Sequence, residues 1–186
     1  MIALWIILIV AVVIVLWIVA VYNRFINLRN GIESTFNQIS VALKKRLDMI
    51  GQIVDSTKGM MKFEKSTLTE VTKLRQAGKG SITPAKADQL LAATNKLAGS
   101  IAVQVEAYPK LTSNENVKQL ISSVQEMEDE ISRLRYTYNN TIQEFNTKRE
   151  TIPSSIVAGM FGFNKKKYLE MKESAAELEK RPDTKL

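Results

Sequence analysis

One uninterrupted apolar run followed by two helical periodicities organises the chain. From Ile2 to Val21 there are twenty consecutive residues without a polar side chain: fifteen Ile, Leu or Val, three Ala, and Trp5 and Trp17. As a helix rising 1.5 Å per residue the run covers ~30 Å, the thickness of a hydrocarbon core, and it predicts a transmembrane span. Trp5 and Trp17 lie toward its ends and Tyr22 follows it, where amphipathic rings settle among lipid headgroups. The competing reading is a secretory leader that is later removed. Against it, the run exceeds the usual apolar core of a leader, no Lys or Arg precedes it and no small-x-small cleavage site follows.

Beyond the span, Ile32, Phe36, Ile39, Leu43, Leu47, Ile50, Val54, Thr57 and Met61 recur about every 3.6 residues, the period of a straight amphipathic helix. No proline occurs before Pro84, so the membrane helix is expected to run on unbroken to about Met61. Leu68, Val71 and Leu74 mark a shorter helix that ends in the loop-forming cluster Gly78 to Ser81. Thr83 and Pro84 predict a helix start, as N-cap and first-turn proline. That third helix carries Leu90, Leu91, Leu97, Ile101 and Val105 and closes at Tyr108 and Pro109. Ser113 is the expected cap of a last helix whose apolar positions Val117, Leu120, Val124, Met127, Ile131, Leu134 and Tyr138 alternate three and four apart, a coiled-coil heptad.

The predicted fold is therefore all-α: an N-terminal transmembrane helix continuing into a long antiparallel bundle of four helices, with an anchor at 1–22, a bundle at 23–152, and an apolar and basic segment with a polar tail at 153–186. If the second helix folds back as a separate element, the last helix returns toward the bilayer; if it prolongs the first, the parity changes and that end points away.

Charge adds an orientation and a surface. Lys and Arg total 26 against 19 acidic residues, a net charge of +7, all of it outside the first 22 residues. Arg24 and Arg29 follow the span at once and Lys44, Lys45 and Arg46 come soon after, so the helical domain is expected in the cytoplasm and the N-terminus outside the cell membrane. After Pro153, which stops the last helix, the stretch Ser154 to Phe163 contains Ile156, Val157, Met160, Phe161 and Phe163 and leads into Lys165, Lys166 and Lys167. This suits an interfacial foot on anionic lipid; a cap over the bundle core, with solvated lysines, accounts for it equally. The tail from Tyr168 to Leu186 is expected to form a short polar helix that frays after Pro182.

The chemistry available is narrow. The chain contains no cysteine and no histidine, which removes thiolate nucleophiles, Cys/His zinc sites and the commonest proton shuttle. Glu126, Glu128, Asp129 and Glu130 form an acidic run, but the di-metal bundles that use such carboxylates also need Glu-x-x-His. Gly78 to Ser81 lacks the spacing of a phosphate loop, and the glycosylation-like triplet Asn139, Asn140 and Thr141 falls mid-helix. The lysines are spread among glutamates rather than gathered with aromatics, unlike a nucleic-acid surface. The expectation is a protein that is not an enzyme, takes no cofactor and binds no nucleic acid.

The order of motifs resembles the LemA family. Tyr22, Asn23, Leu28, Arg29 and Asn30 after a membrane span, followed by Leu43, Lys44, Lys45, Arg46, Leu47, Asp48, Met49 and Ile50, resemble its opening signature. Tyr108, Pro109, Leu111, Asn114, Glu115 and Asn116 resemble its YP-x-L turn. Glu128, Ile131, Arg135, Tyr138, Asn139, Asn146 and Pro153 resemble its E-x-x-I-x-x-x-R-x-x-YN-x6-N-x6-P helix, and Gly162 and Phe163 its terminal GF. One departure is Gly51, where the family usually has proline. The resemblance implies a membrane-anchored antiparallel bundle without an established enzymatic activity; some relatives are tied to internal membranes such as magnetosomes, and others are encoded near membrane metallopeptidases. Glu128, Arg135, Asn139 and Asn146 share one side of a helix, either as a buried polar ladder fixing register or as a face for a partner. The expected function is a membrane scaffold that forms a homo-oligomer and organises or remodels the bilayer, with an adaptor recruiting a membrane peptidase or signalling partner as the alternative.

Overall fold

The computed structural model describes residues 1–169, which form six α-helices: α1 (Ile2–Thr57), α2 (Lys65–Lys79), α3 (Pro84–Glu106), α4 (Pro109–Thr112), α5 (Glu115–Glu150) and α6 (Ser154–Met160). The helix expected in the tail lies outside the described residues. The chain is organised as two compact units, one holding residues 1–41 and 129–168, the other residues 42–128 with Leu169.

In the first unit α1 begins fully exposed along the apolar run and acquires a buried face at Val21, Phe25, Leu28, Ile32, Thr35 and Ile39. The steps of four and three are those of a helix packed along a single seam. Opposite lie Ile131, Tyr138, Ile142 and Phe145 of α5, all buried. The pairing is antiparallel: Arg24 bonds Glu144, the Phe25 and Phe145 ring centres are 5.4 Å apart, and those of Phe36 and Tyr138 are 5.8 Å apart. The last helix thus returns to the end of the bundle next to the span. Among the described residues one helix, α1, is long and apolar enough to cross a membrane, and its eighteen most apolar residues are not buried in the protein.

In the second unit the buried face of α1 widens to the pairs Ala42 and Leu43, Arg46 and Leu47, Ile50 and Gly51, and Ile53 and Val54, because neighbours pack on two sides of it rather than one. Its core joins Ile50, Ile53, Val54 and Met61 to Val71, Leu97, Ile101, Val105, Leu111, Val117 and Val124. The helix that continues from the apolar run is expected to reach about Met61; α1 ends at Thr57, whose hydroxyl bonds the Ile53 carbonyl at 2.6 Å while its own carbonyl accepts the amides of Met60 and Met61. Burying Met61 in the core needs that turn, and so α2 is a separate helix. It lies back along α1: Arg75 reaches Asp48 at 3.9 Å and Asp55 at 3.7 Å, and the Gly78 backbone abuts Leu47. α1 continues through Gly51, where the side chain of Arg75 covers the space a Cβ would take.

Thr83 caps α3 as expected, accepting from the Lys86 amide at 3.4 Å. The cap of α5 is Asn114 rather than Ser113: the Asn114 side-chain oxygen accepts from Asn116 and Val117 amides at 3.1 and 3.4 Å. The Ser113 hydroxyl is turned back to the Pro109 carbonyl, 2.9 Å away, closing the single turn of α4 that drives Leu111 into the core.

Candidate functional site

Two constructions carry the polar residues singled out in the sequence, one in each unit. In the first unit, the end of the bundle beside the apolar span is closed by a device that begins with a glycine. Gly162 has φ of 66°, a left-handed conformation that costs other residues. It stands just past α6, with its amide 3.3 Å from the Gly159 carbonyl and the Phe163 amide 3.0 Å from the Ala158 carbonyl, the Schellman pattern that ends a helix and reverses the chain. The reversal aims Phe163 inward. Its ring stacks on Phe25 at 4.7 Å and 19° and meets Phe145 edge-on at 6.2 Å, while Tyr22 lies 5.8 Å away.

Polar groups of α5 then hold the outgoing segment. The Asn146 side-chain amide both donates to the Lys166 carbonyl and accepts from the Lys166 amide, each at 2.9 Å, imitating one rung of a β-ladder. Arg149 Nε donates to the Phe163 carbonyl at 2.8 Å. Lys165 Nζ donates to Glu150 at 2.9 Å; that hydrogen bond, and next the lysine's charge, lowers the Glu150 carboxyl below its ordinary pKa. Pro153 occupies the N-cap position of α6, and the Ser154 hydroxyl is 2.6 Å from the Lys148 carbonyl.

The predicted foot is divided by this arrangement. Val157 and Phe163 face inward and are buried with Ala158, whereas Ile156, Met160 and Phe161 stand out from the surface together with Ile152. Lys165 and Lys167 are exposed and Lys166 is half-buried. Of the predicted anchor residues, Ile2, Trp5 and Trp17 are exposed, Val21 is already part of the α1–α5 seam, and Tyr22 is half-buried with its ring 4.7 Å from Phe161.

In the second unit Arg46 is fully buried. Its Nη2 donates to Glu128 at 2.8 Å and its Nη1 to Asn95, tying α1 to α5 and α3. Burial pushes the guanidinium pKa down, with Glu128 opposing, and its Nε finds no acceptor among the described residues. An arginine nevertheless stays charged in proteins. Of the remaining motif residues, Arg135 and Asn139 are half-buried along α5, Tyr138 is buried against Phe36, Asn23 and Arg29 stand on the outer side of α1, and Tyr108 and Pro109 open α4.

Phe25, Asn95, Phe145 and Arg149 belong to these constructions and were not anticipated. Phe145 had a signal, since it lies seven residues beyond Tyr138 in the series Val117, Val124, Ile131 and Tyr138. Asn95 had none. No cluster of three or more acidic side chains placed to hold a metal occurs among the described residues. An open groove lined by Asn140, Gln143, Glu144, Thr147, Lys148, Thr151 and Ser154 runs along α5.

A family model described as the LemA family matches residues 35–185. The chain is 26% identical to Protein LemA of Metamycoplasma hominis across 73% of its own length and 63% of that protein's. It is 24% identical to magnetosome protein MamQ 2 of Paramagnetospirillum magneticum, across 81% of its length and 65% of the relative's, and 23% identical to magnetosome protein MamQ of Magnetospirillum gryphiswaldense over the same shares. It therefore spans a little under two thirds of the relatives it matches. With a model that covers most of the sequence, from the first bundle helix through the terminal GF and beyond, this chain belongs to the LemA family.

Proposed function

We propose that the protein is a non-enzymatic scaffold, anchored by residues 2–21, whose helical domain self-associates and organises or remodels the membrane. The observation that carries this reading is the absence of a linker between anchor and domain. The apolar stretch passes within α1 directly into the seam at Val21 and Phe25. A domain joined in this way takes its orientation from the anchor, and anchoring to a plane raises the effective concentration of copies so that weak contacts suffice. Several relatives are named magnetosome proteins, which supports a role tied to membrane organisation. The basic residues Arg24, Arg29, Lys44 and Lys45 support a cytoplasmic domain.

Measuring particle size in mild detergent and in lipid nanodiscs is expected to return multimers. A strictly monomeric particle at working concentration would overturn self-assembly. A monomer carrying one stoichiometric partner protein would overturn it in favour of an adaptor that recruits a membrane peptidase or signalling protein.

A further inference from the structure

We propose that the outer face of α6 and the turn before it form a second membrane contact, inserting Ile152, Ile156, Met160 and Phe161 among the headgroups of the leaflet from which α1 emerges, with Lys167 selecting anionic lipid. The inference rests on the anchoring half of the preceding reading and not on self-association.

The side chains are too apolar and too exposed for an ordinary water-facing turn: Ile152 is 79% exposed, Ile156 60%, Met160 66% and Phe161 49%. Contiguous apolar surface of this kind marks an interaction site. Their depth identifies the occupant. Arg24 pairs with Glu144 in an antiparallel seam, so six residues on from Glu144 and six back from Arg24 bring Glu150 level with Ile18, inside the apolar span. Ile152 and α6 follow immediately. Independently, the Phe161 ring lies 4.7 Å from Tyr22, which directly follows the span and stands where aromatic rings meet headgroups. The face is thus continuous with a surface already in contact with lipid.

It is also held rigidly. Val157 and Ala158 are buried on the opposite side of α6, and Asn146 and Arg149 fix the segment that leaves it. No ordering of α6 is required on insertion, and an amphipathic element lying in the interface enters ~5–10 Å. The charge agrees: Lys167 is exposed just beyond the apolar face, while Glu150 is engaged by Lys165 and Glu144 by Arg24.

The chain has no cysteine, so single cysteines report cleanly. Gly159→Cys places a probe on this face where an added Cβ meets nothing within 4 Å; Leu8→Cys reports the anchor and Ser66→Cys the water-facing surface. The full-length protein, labelled with an environment-sensitive dye, is reconstituted in phosphatidylcholine vesicles with and without roughly one third phosphatidylglycerol, which supplies the negative surface. Spin-labelled lipids and aqueous iodide are the quenchers.

The expected result is that the Gly159 probe is quenched by shallow spin labels and protected from iodide when phosphatidylglycerol is present. In Ile156→Asp/Met160→Asp this should be lost while the helical circular dichroism stays unchanged, both positions being exposed. Lys167→Gln should lower the inserted-to-withdrawn ratio about fivefold, the effect of one basic residue at an anionic surface. A Gly159 probe open to iodide, with the Leu8 probe quenched by deep labels, overturns the foot and leaves the anchor standing; failure at Leu8 overturns the anchor itself. Protection that grows with protein-to-lipid ratio means a second copy covers the face, and protection without lipid quenching at any ratio means the chain's own tail does. Either outcome overturns the proposal.

Discussion

Arg46 heads the fully buried side chains by volume, an unusual occupant for a helical core. A buried guanidinium is tolerated only when carboxylate and amide acceptors replace its water, and Glu128 and Asn95 supply them. The two bonds tie α1 to α3 and α5 at one level of the second unit. Glu128→Ala is expected to lower stability by about 1–3 kcal/mol, the cost of orphaning a buried donor, held to that range because Glu128 is itself half exposed and water can enter. Arg46→Met, which removes the charge and retains the length, should cost less than Glu128→Ala; urea unfolding of the full chain in mild detergent compares them. Gly162 is demanding for a different reason, its positive φ. Gly162→Ala should cost about 1 kcal/mol and Gly162→Asn less, since asparagine tolerates the left-handed region, and the same unfolding measurement ranks them.

Between helices, the chain is governed by closures rather than by propensity. α1 gives way to α2 without a proline, at a turn set by the burial of Thr57 and Met61. At Gly51, where the resemblance leads to an expected proline, α1 passes through as regular helix beneath Arg75. At the other end, α5, α6 and the segment after Gly162 form one closure because Asn146 occupies both hydrogen-bonding groups of Lys166. Asn146→Ala is expected to speed exchange of the Lys166 amide about tenfold, corresponding to loss of one net hydrogen bond. Hydrogen exchange read by mass spectrometry or NMR checks this, and an unchanged rate would show that the aromatic stack of Phe163 alone holds the segment.

At the scale of the whole molecule, the proposed anchor sets the level of the first unit, which α1 enters without a break. Fifteen strongly apolar residues at a few tenths of a kcal/mol each give an insertion free energy on the order of −5 kcal/mol, with no charged residue in the span to oppose it. On the proposed reading, the basic residues that follow place the helical domain on the cytoplasmic side. Ser66→Cys, on the exposed start of α2, should react with a membrane-impermeant maleimide only after cells are opened. Labelling of intact cells would reverse the orientation and, with it, the leaflet assigned to the foot.

The sequence by itself determined the membrane-length apolar helix, the all-helical class and most of the apolar faces, because a hydrocarbon-length run and a period near 3.6 are properties of consecutive residues. The cap at Thr83 and the series from Val117 to Tyr138 were legible for the same reason. What only the tertiary structure decided is which distant groups meet. Arg46 and Glu128 are 82 positions apart and Asn146 and Lys166 are 20 apart; nothing local to either member encodes its partner. Whether α2 is separate, which asparagine or serine caps α5, and which side of α6 is buried likewise follow from packing and from the reversal at Gly162. A periodic pattern states that a face will be covered, but the covering element is chosen by the cooperative fit of the whole chain.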